Sequence, residues 1–254
     1  MPALDHRPHT DPVLHVLPTA LIDALDLSAD HLTVIEPGHH PVGGGSALDA
    51  VFLIADGWAT SKMKIKTGDS QVLEIFGRGS IAGLCRLDDV NLAEYSITTL
   101  QQVYAYKMDV GALTSACSTD EDLSRWLSNL LVRQSQRTQR HLTALGQLPA
   151  RGRLAFVMLR ILAVAQQMGQ SLNGQAITLP MTQDIIGNML GLTNVSVSKI
   201  MTSFRKEGLI DYSRNRFVIK NVAALSEICG MMPEDIPSLR STTGFGDSDK
   251  IPAE

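Results

Sequence analysis

Across residues 32–108 short apolar runs alternate with glycine and polar turns: LTVIEPG, AVFLIADGWA, SKMKIKTGD, QVLEIFGRGSIAGL, YSITTL and QVYAYKM. Runs this short and this regularly interrupted predict an antiparallel sheet that meanders or rolls. Some strands alternate strictly, with Met63, Ile65 and Thr67 set against Lys62, Lys64 and Lys66 and the turn signal Gly68-Asp69 following. That period of two predicts one packed and one wet face.

The pattern changes at Ser118, Thr119 and Asp120, three residues able to cap a helix, with Glu121 and Asp122 placing negative charge at its positive end. The helix is expected to run to about Gln147. Leu123, Trp126, Leu127, Leu130, Leu131, Leu142 and Leu145 form its apolar side, with Gln134 and Thr138 interrupting the stripe, and Arg125, Arg133, Arg137 and Arg140 are assigned to solvent. A helix of about 28 residues is about 42 Å long. That exceeds what one small sheet domain covers, so the nine stripe residues are expected to meet a second copy of the chain. A helix packed wholly within its own chain is the alternative. Leu148-Pro149 breaks it, residues 151–168 form a second helix apolar nearly all round and therefore buried, and residues 169–174 form a polar loop.

Residues 177–221 carry the most specific pattern. Thr182 is a ready N-cap for a short helix with Ile185, Ile186, Met189 and Leu190 apolar. Gly187 allows two helices to cross closely, Gly191 permits a tight turn, and Leu192, Val197 and Ile200 lock a second helix onto the first, which are the steric demands of a helix-turn-helix. The second helix, about residues 194–206, turns short polar and cationic groups outward. Glu207-Gly208 stops it, and LIDYS-RN-RFVIKN predicts a two-stranded wing with Arg214 and Arg216 at its tip. Asn194, Val195, Ser196, Ser198 and Lys199 are the expected base-reading residues, and Thr182, Gln183, Thr202, Arg205, Arg214 and Arg216 the expected phosphate contacts. A helical module that binds protein is the competing reading.

Charge favours nucleic acid. The 254-residue chain has a net charge of -4, but residues 125–220 hold 13 Lys/Arg against 3 Asp/Glu, whereas residues 1–124 hold 7 against 17 and residues 221–254 hold 2 against 6. The basic third is where a polyanion would dock. With 44% hydrophobic and 19% charged residues the composition is that of an ordinary soluble protein. No run has the length of about 20 apolar residues that spans a bilayer, and MPALDHRPHTDP lacks signal-peptide order, so a cytoplasmic location and no membrane association are expected. Cys85, Cys117 and Cys229 are widely spaced and predict buried thiols rather than a disulfide framework or a zinc site. No Ser-His-Asp order, metal-spaced histidine pair, carboxylate dyad or phosphate-cradling loop points to an enzyme, and the GGGS of residues 43–46 is a loop between strands.

With these residues in hand, residues 32–225 resemble the cyclic-AMP receptor protein and fumarate-nitrate regulator (Crp/Fnr) superfamily. The stretch LPMTQDIIGNMLGLTNVSVSKIMTSFRKEGLI matches that family's helix-turn-helix pattern almost throughout. The resemblance implies an α+β protein: an N-terminal extension (1–31), an antiparallel β-roll like the cyclic-nucleotide-binding jelly roll (32–117), a long dimerisation helix (118–148), a winged helix-turn-helix (149–225) and a polar tail (232–254) expected to be disordered. It implies a homodimeric transcription regulator on a palindromic duplex, touching RNA polymerase if it activates.

Two departures from the family stand out. The family's half-site-reading glutamate, serine and arginine correspond here to Val195, Ser198 and Lys199, so the operator is expected to differ. Leu84 replaces the glutamate, and Ala93-Glu94 the arginine-serine pair, that hold cyclic AMP in nucleotide-binding members; only Arg86 offers a nearby cation, so the usual pocket is not expected to bind cyclic AMP. The family's iron-sulfur cysteines are absent, and no cofactor is predicted. The effector is unassigned. Alternatives are a ligand-independent dimer, a redox sensor using Cys85 or Cys117, and a haem sensor using Pro2 or one of His6, His9, His15, His39 and His40.

Overall fold

The computed structural model describes residues 11, 13–28, 31–41, 50–64, 70–84, 95–169, 177–178, 180–213 and 216–230. The predicted turn at Gly68-Asp69, the loop at residues 43–46, Cys85, Arg86, Ala93-Glu94, the wing tip Arg214-Asn215, His6, His9 and the tail at residues 232–254 lie outside the described residues.

Among the described residues the alternating runs become seven strands: β1 (Leu32–Ile35), β2 (Ala50–Asp56), β3 (Ala59–Lys64), β4 (Ser70–Phe76), β5 (Ile81–Ala82), β6 (Tyr95–Thr99) and β7 (Val103–Asp109). They pair antiparallel into two sheets, ordered β1-β7-β2-β5 and β4-β3-β6. Residues from both sheets, among them Phe52, Ile54, Phe76, Tyr95 and Ile97, share one apolar interior. This is the expected β-roll.

The other face of the four-stranded sheet was not legible. Val51, Leu53, Tyr106 and Met108 pack against Val13, Leu14, Leu17 and Leu21 of a short turn and helix α1 (Thr19–Ala24). Part of the predicted N-terminal extension is therefore a layer of the roll. Asp11 fastens its start, accepting from Val13 N at 3.0 Å, Arg78 Nη2 at 3.1 Å and the Tyr106 hydroxyl at 3.1 Å. Burial, and then the Asp11 charge, push the Tyr106 phenol up to about 12.

A second unpredicted element, α2 (Val110–Thr119), follows β7 and is capped by Asp109, which accepts from Ala112 N at 2.7 Å. Ser118 and Thr119 sit in its last turn with their hydroxyls donating to Ser115 O, so Asp120 alone caps the long helix. That helix, α3 (Glu121–Gln147), matches the expected element closely.

Its faces are divided differently from the prediction. Leu123 is 2% exposed and lies within its own chain's core, with Trp126, Leu127 and Leu130 packed on the same cluster. Leu145 packs at the far end against the C-terminal core. Leu131, Val132 and Leu142 are 41%, 54% and 61% exposed. Arg137 and Arg140 are not solvent-side as expected: Arg137 Nε lies 3.6 Å from Glu74 of β4, and Arg140 Nη1 is buried.

Beyond Pro149, α4 (Ala150–Gln167) buries twelve residues, as its unbroken apolar surface requires. Around it stand α5 (Gln183–Leu190), α6 (Asn194–Lys206), a three-stranded sheet ordered β8 (Ile177–Thr178), β10 (Arg216–Ile219), β9 (Ile210–Ser213), and α7 (Val222–Cys229). The third strand of the wing and α7, which runs past the expected boundary at residue 225, are additions. One hydrophobic cluster joins Trp58, Val72 and Ile75 of the roll to Leu154, Ile161, Ile186 and Met189. At this junction a Cβ on Gly77 would lie 2.4 Å from Val164 Cγ1, so a glycine is needed for α4 to approach.

Candidate nucleic-acid interface

Thr182 caps α5 as predicted, its hydroxyl accepting from Ile185 N at 3.3 Å. Gly191 ends the helix in the left-handed region at φ +62°. The chain then doubles back so tightly that a Cβ on Gly187 would lie 2.5 Å from Leu192 O. Thr193 opens α6 by accepting from Ser196 N at 3.2 Å, and Val197, Met201 and Phe204 bury its inner face.

The outer face of α6 carries most of the expected base-reading set. Asn194, Val195, Ser198 and Lys199 line one shallow hollow with Thr202, which sequence alone had placed among the phosphate contacts. Val195 is 64% exposed. An isopropyl group held in water among polar neighbours contributes nothing to folding, and is suited to an apolar contact such as a thymine methyl. Asn194 is partly engaged, donating from Nδ2 to Asp184 at 2.7 Å. Ser196 stands apart from the hollow, its hydroxyl 2.9 Å from that of Thr193 in the helix cap.

The expected phosphate contacts are spread around this surface. Thr182 is exposed and Gln183 half-buried at the start of α5, where backbone N–H groups and the helix dipole favour an anion. Arg216 is exposed at the start of β10, paired in register with Ser213 and Thr178. Arg205 is less available than predicted: its Nε lies 3.2 Å from Asp211 and its guanidinium stacks 5.4 Å from the Tyr212 ring centroid. Lys220 shares Asp211 at 3.4 Å, and its hydrogen bond, the largest influence, draws that carboxyl below its usual range.

Sequence reasoning missed two clamps whose partners are far apart in the chain. Arg151 of α4 donates to Glu207 at 2.9 Å and Ser203 at 3.0 Å and lies 4.6 Å from the Phe204 ring centroid, fixing the end of α6. Arg151 is also the main cause holding the Glu207 carboxyl below its ordinary value. At the other side, Gln71 of β4 and His141 of α3 both donate to Met189 O, at 3.0 and 3.1 Å. The roll and the long helix thus grip the end of α5.

The molecule thus joins a paired-sheet roll, a long helix and a terminal winged helix-turn-helix. Residues 152–228 match the Crp-like helix-turn-helix domain family. A CRP-like cAMP-activated global transcriptional regulator of Mycobacterium tuberculosis is 28% identical over 174 residues, spanning 68% of this chain and 76% of the relative. The fumarate and nitrate reduction regulatory protein of Vibrio cholerae is 22% identical over 213 residues, 84% of each chain. The chain superposes on FixK2 from Bradyrhizobium japonicum with a TM-score of 0.68 at 18% identity, covering 78% of this chain and 96% of the other. A CRP-family regulator from Thermus thermophilus gives 0.66 at 18% identity, with coverage of 80% and 99%. Residues 152–228 thus form a Crp-like helix-turn-helix domain, and the chain as a whole is similar in sequence and fold to Crp/Fnr transcription regulators. No helix among the described residues is long and apolar enough to cross a membrane.

Proposed function

We propose that this regulator, which is not an enzyme, binds a palindromic duplex as a homodimer, with α6 in the major groove of each half-site. The observation that carries the reading is the exposed hollow of Asn194, Val195, Ser198, Lys199 and Thr202 on a helix whose other face is locked into the core. Lys199 and Ser198 donate to base edges and Val195 meets a thymine methyl, while Thr182, Gln183 and Arg216 hold phosphates.

Dimerisation is supported by the bare middle of α3, where Leu131, Val132 and Leu142 leave apolar surface in water. Gln134, Thr138 and the accessible edges of Trp126, Leu127, Leu130 and Leu145 complete the expected contact; Leu123, buried in its own core, does not. Two such helices side by side set the spacing of two recognition helices at about 34 Å, one turn of DNA.

The roll, in this reading, does not hold cyclic AMP by the usual contacts. Leu84, at the place of the nucleotide-binding glutamate, is 4% exposed in the core shared with the N-terminal segment. A redox role has less support, since burial, and then Asp120, push the Cys117 thiol up, away from the reactive thiolate.

The experiment is fluorescence anisotropy of the full chain on duplexes recovered by in vitro selection. Lys199→Ala should shrink the ratio of specific to non-specific affinity by about tenfold. Arg216→Ala should weaken all duplexes alike and lower the salt slope by about one. Equal effects of the two substitutions on specificity would refute the assignment.

A further inference from the structure

The two donors on Met189 O belong to a chain of polar contacts that begins and ends on β4. Glu74 of β4 pairs with Arg160 of α4; Arg160 Nη1 donates to His141 Nδ1 at 3.1 Å; His141 Nε2 donates to Met189 O of α5 at 3.1 Å; and Gln71 Nε2, back on β4, donates to the same carbonyl at 3.0 Å. Four elements from three parts of the molecule are joined in one series. Glu74, His141 and Arg160 are 8%, 6% and 9% exposed. Buried charge at this depth is costly unless each member is satisfied, and a removed member leaves the others stranded.

The partners also fix the imidazole. A guanidinium can only donate and a carbonyl can only accept, so His141 must be neutral with its proton on Nε2. Adding a second proton puts an N–H against the Arg160 N–H and a cation beside a cation. The groups facing His141 are Arg160 from α4, Glu74 from β4 with Arg137 paired to it, and the Met189 carbonyl from α5; Arg140 neighbours it on α3. Meanwhile the far end of α5 at Thr182 and the hollow on α6 stay exposed, uncovered by the roll.

We propose that His141, held by Glu74, Arg160 and Gln71, is a positioning residue that fixes α5, and with it the recognition helix, in a DNA-competent attitude on the roll, and that acid opens this latch. The proposal rests on the DNA-binding reading above. Pre-organisation acts on affinity and not on sequence preference, because the latch touches the unit's attitude and no base-reading side chain.

The sign of the pH effect follows from the lowered basicity. Burial, and then Arg160, bring the imidazole from about 6.5 to about 4, so the closed state binds fewer protons than the open one between those values. Closure is favoured above pH 6.5 and is lost as pH falls; at pH 5 the open-to-closed ratio rises roughly 30-fold.

Anisotropy of the full chain with selected duplex DNA tests this with two variants. His141→Ala should lose about 10- to 50-fold in affinity at pH 7.5 with its sequence preference unchanged. His141→Gln, whose amide can donate to Met189 O and accept from Arg160 without titrating, should recover to within about threefold and lose the steeper acid-side fall of the wild type. An alanine variant within threefold of wild type, a glutamine variant as weak as alanine, or parallel pH profiles for wild type and His141→Gln would overturn the latch. If the wild type binds no duplex, the DNA reading fails, and hydrogen exchange of α5 decides the latch separately. Exchange tenfold faster in His141→Ala and restored in His141→Gln supports it; equal exchange in all three refutes it.

Discussion

Gly187→Val should remove specific DNA binding, with a loss of at least about 100-fold, while leaving the β-roll folded. A Cβ at this position would lie 2.5 Å from Leu192 O, and that oxygen belongs to the backbone of the turn, which cannot swing aside as a long side chain could. The turn is held on both sides: Leu192 N donates to Gly187 O at 2.9 Å, and Val197, buried at 0%, packs beneath it. The branched side chain therefore separates α5 from α6 and tilts the hollow that carries Lys199. Overpacking of this kind costs on the order of 1–3 kcal/mol, but the loss of function should exceed the loss of stability because every base contact moves together. Anisotropy and circular dichroism on the same preparation check it; a variant with near-normal affinity would show that the helix crossing is looser than described.

The second large effect is on stability. Glu74→Ala should lower the free energy of unfolding by about 3–5 kcal/mol, because it leaves the buried Arg160 guanidinium without its carboxylate and removes the nearby charge facing Arg137. For a chain of this size that corresponds to a fall of roughly 10 °C in Tm. The double variant Glu74→Met with Arg160→Met should recover part of the loss, since replacing both buried ions by apolar groups of similar volume is often neutral, and the remainder should persist because Arg137 and His141 Nδ1 still lack their partners. His141 would then retain its bond to Met189. Thermal melts of the three proteins distinguish this from a surface pair, for which the single change would cost less than about 1 kcal/mol and the double change would recover nothing.

These contacts mark where sequence reasoning stopped. The winged helix-turn-helix was legible because its demands are local: Thr182, Gly187, Gly191 and Thr193 act within a dozen positions of one another. The long helix was legible from its cap and its stripe. Helix α2 was not, because its sequence VGALTSACST is rich in small residues with little amphipathic contrast, and the capping residues Ser118 and Thr119 invited a helix start where one ends. The packed N-terminal segment had a usable signal in Leu14, Leu17 and Leu21, spaced for one helical face. The solvent-side assignment of Arg137 failed for a different reason. A cation on a helix is usually wet, and only the fold brings Glu74 to meet it. Likewise nothing local tells that Asp211 occupies Arg205, or that Arg151 holds Glu207.

In the proposed complex two copies of α6 read two half-sites related by a two-fold axis. In vitro selection from a random duplex library with the full-length protein, followed by footprinting on the enriched sequences, tests it most directly. The expected product is an inverted repeat whose half-site centres lie about 10 base pairs apart, with A·T pairs where Val195 meets a thymine methyl and a protected span covering both halves. Enrichment of a single unrepeated half-site, or no enrichment over the starting library, would contradict it.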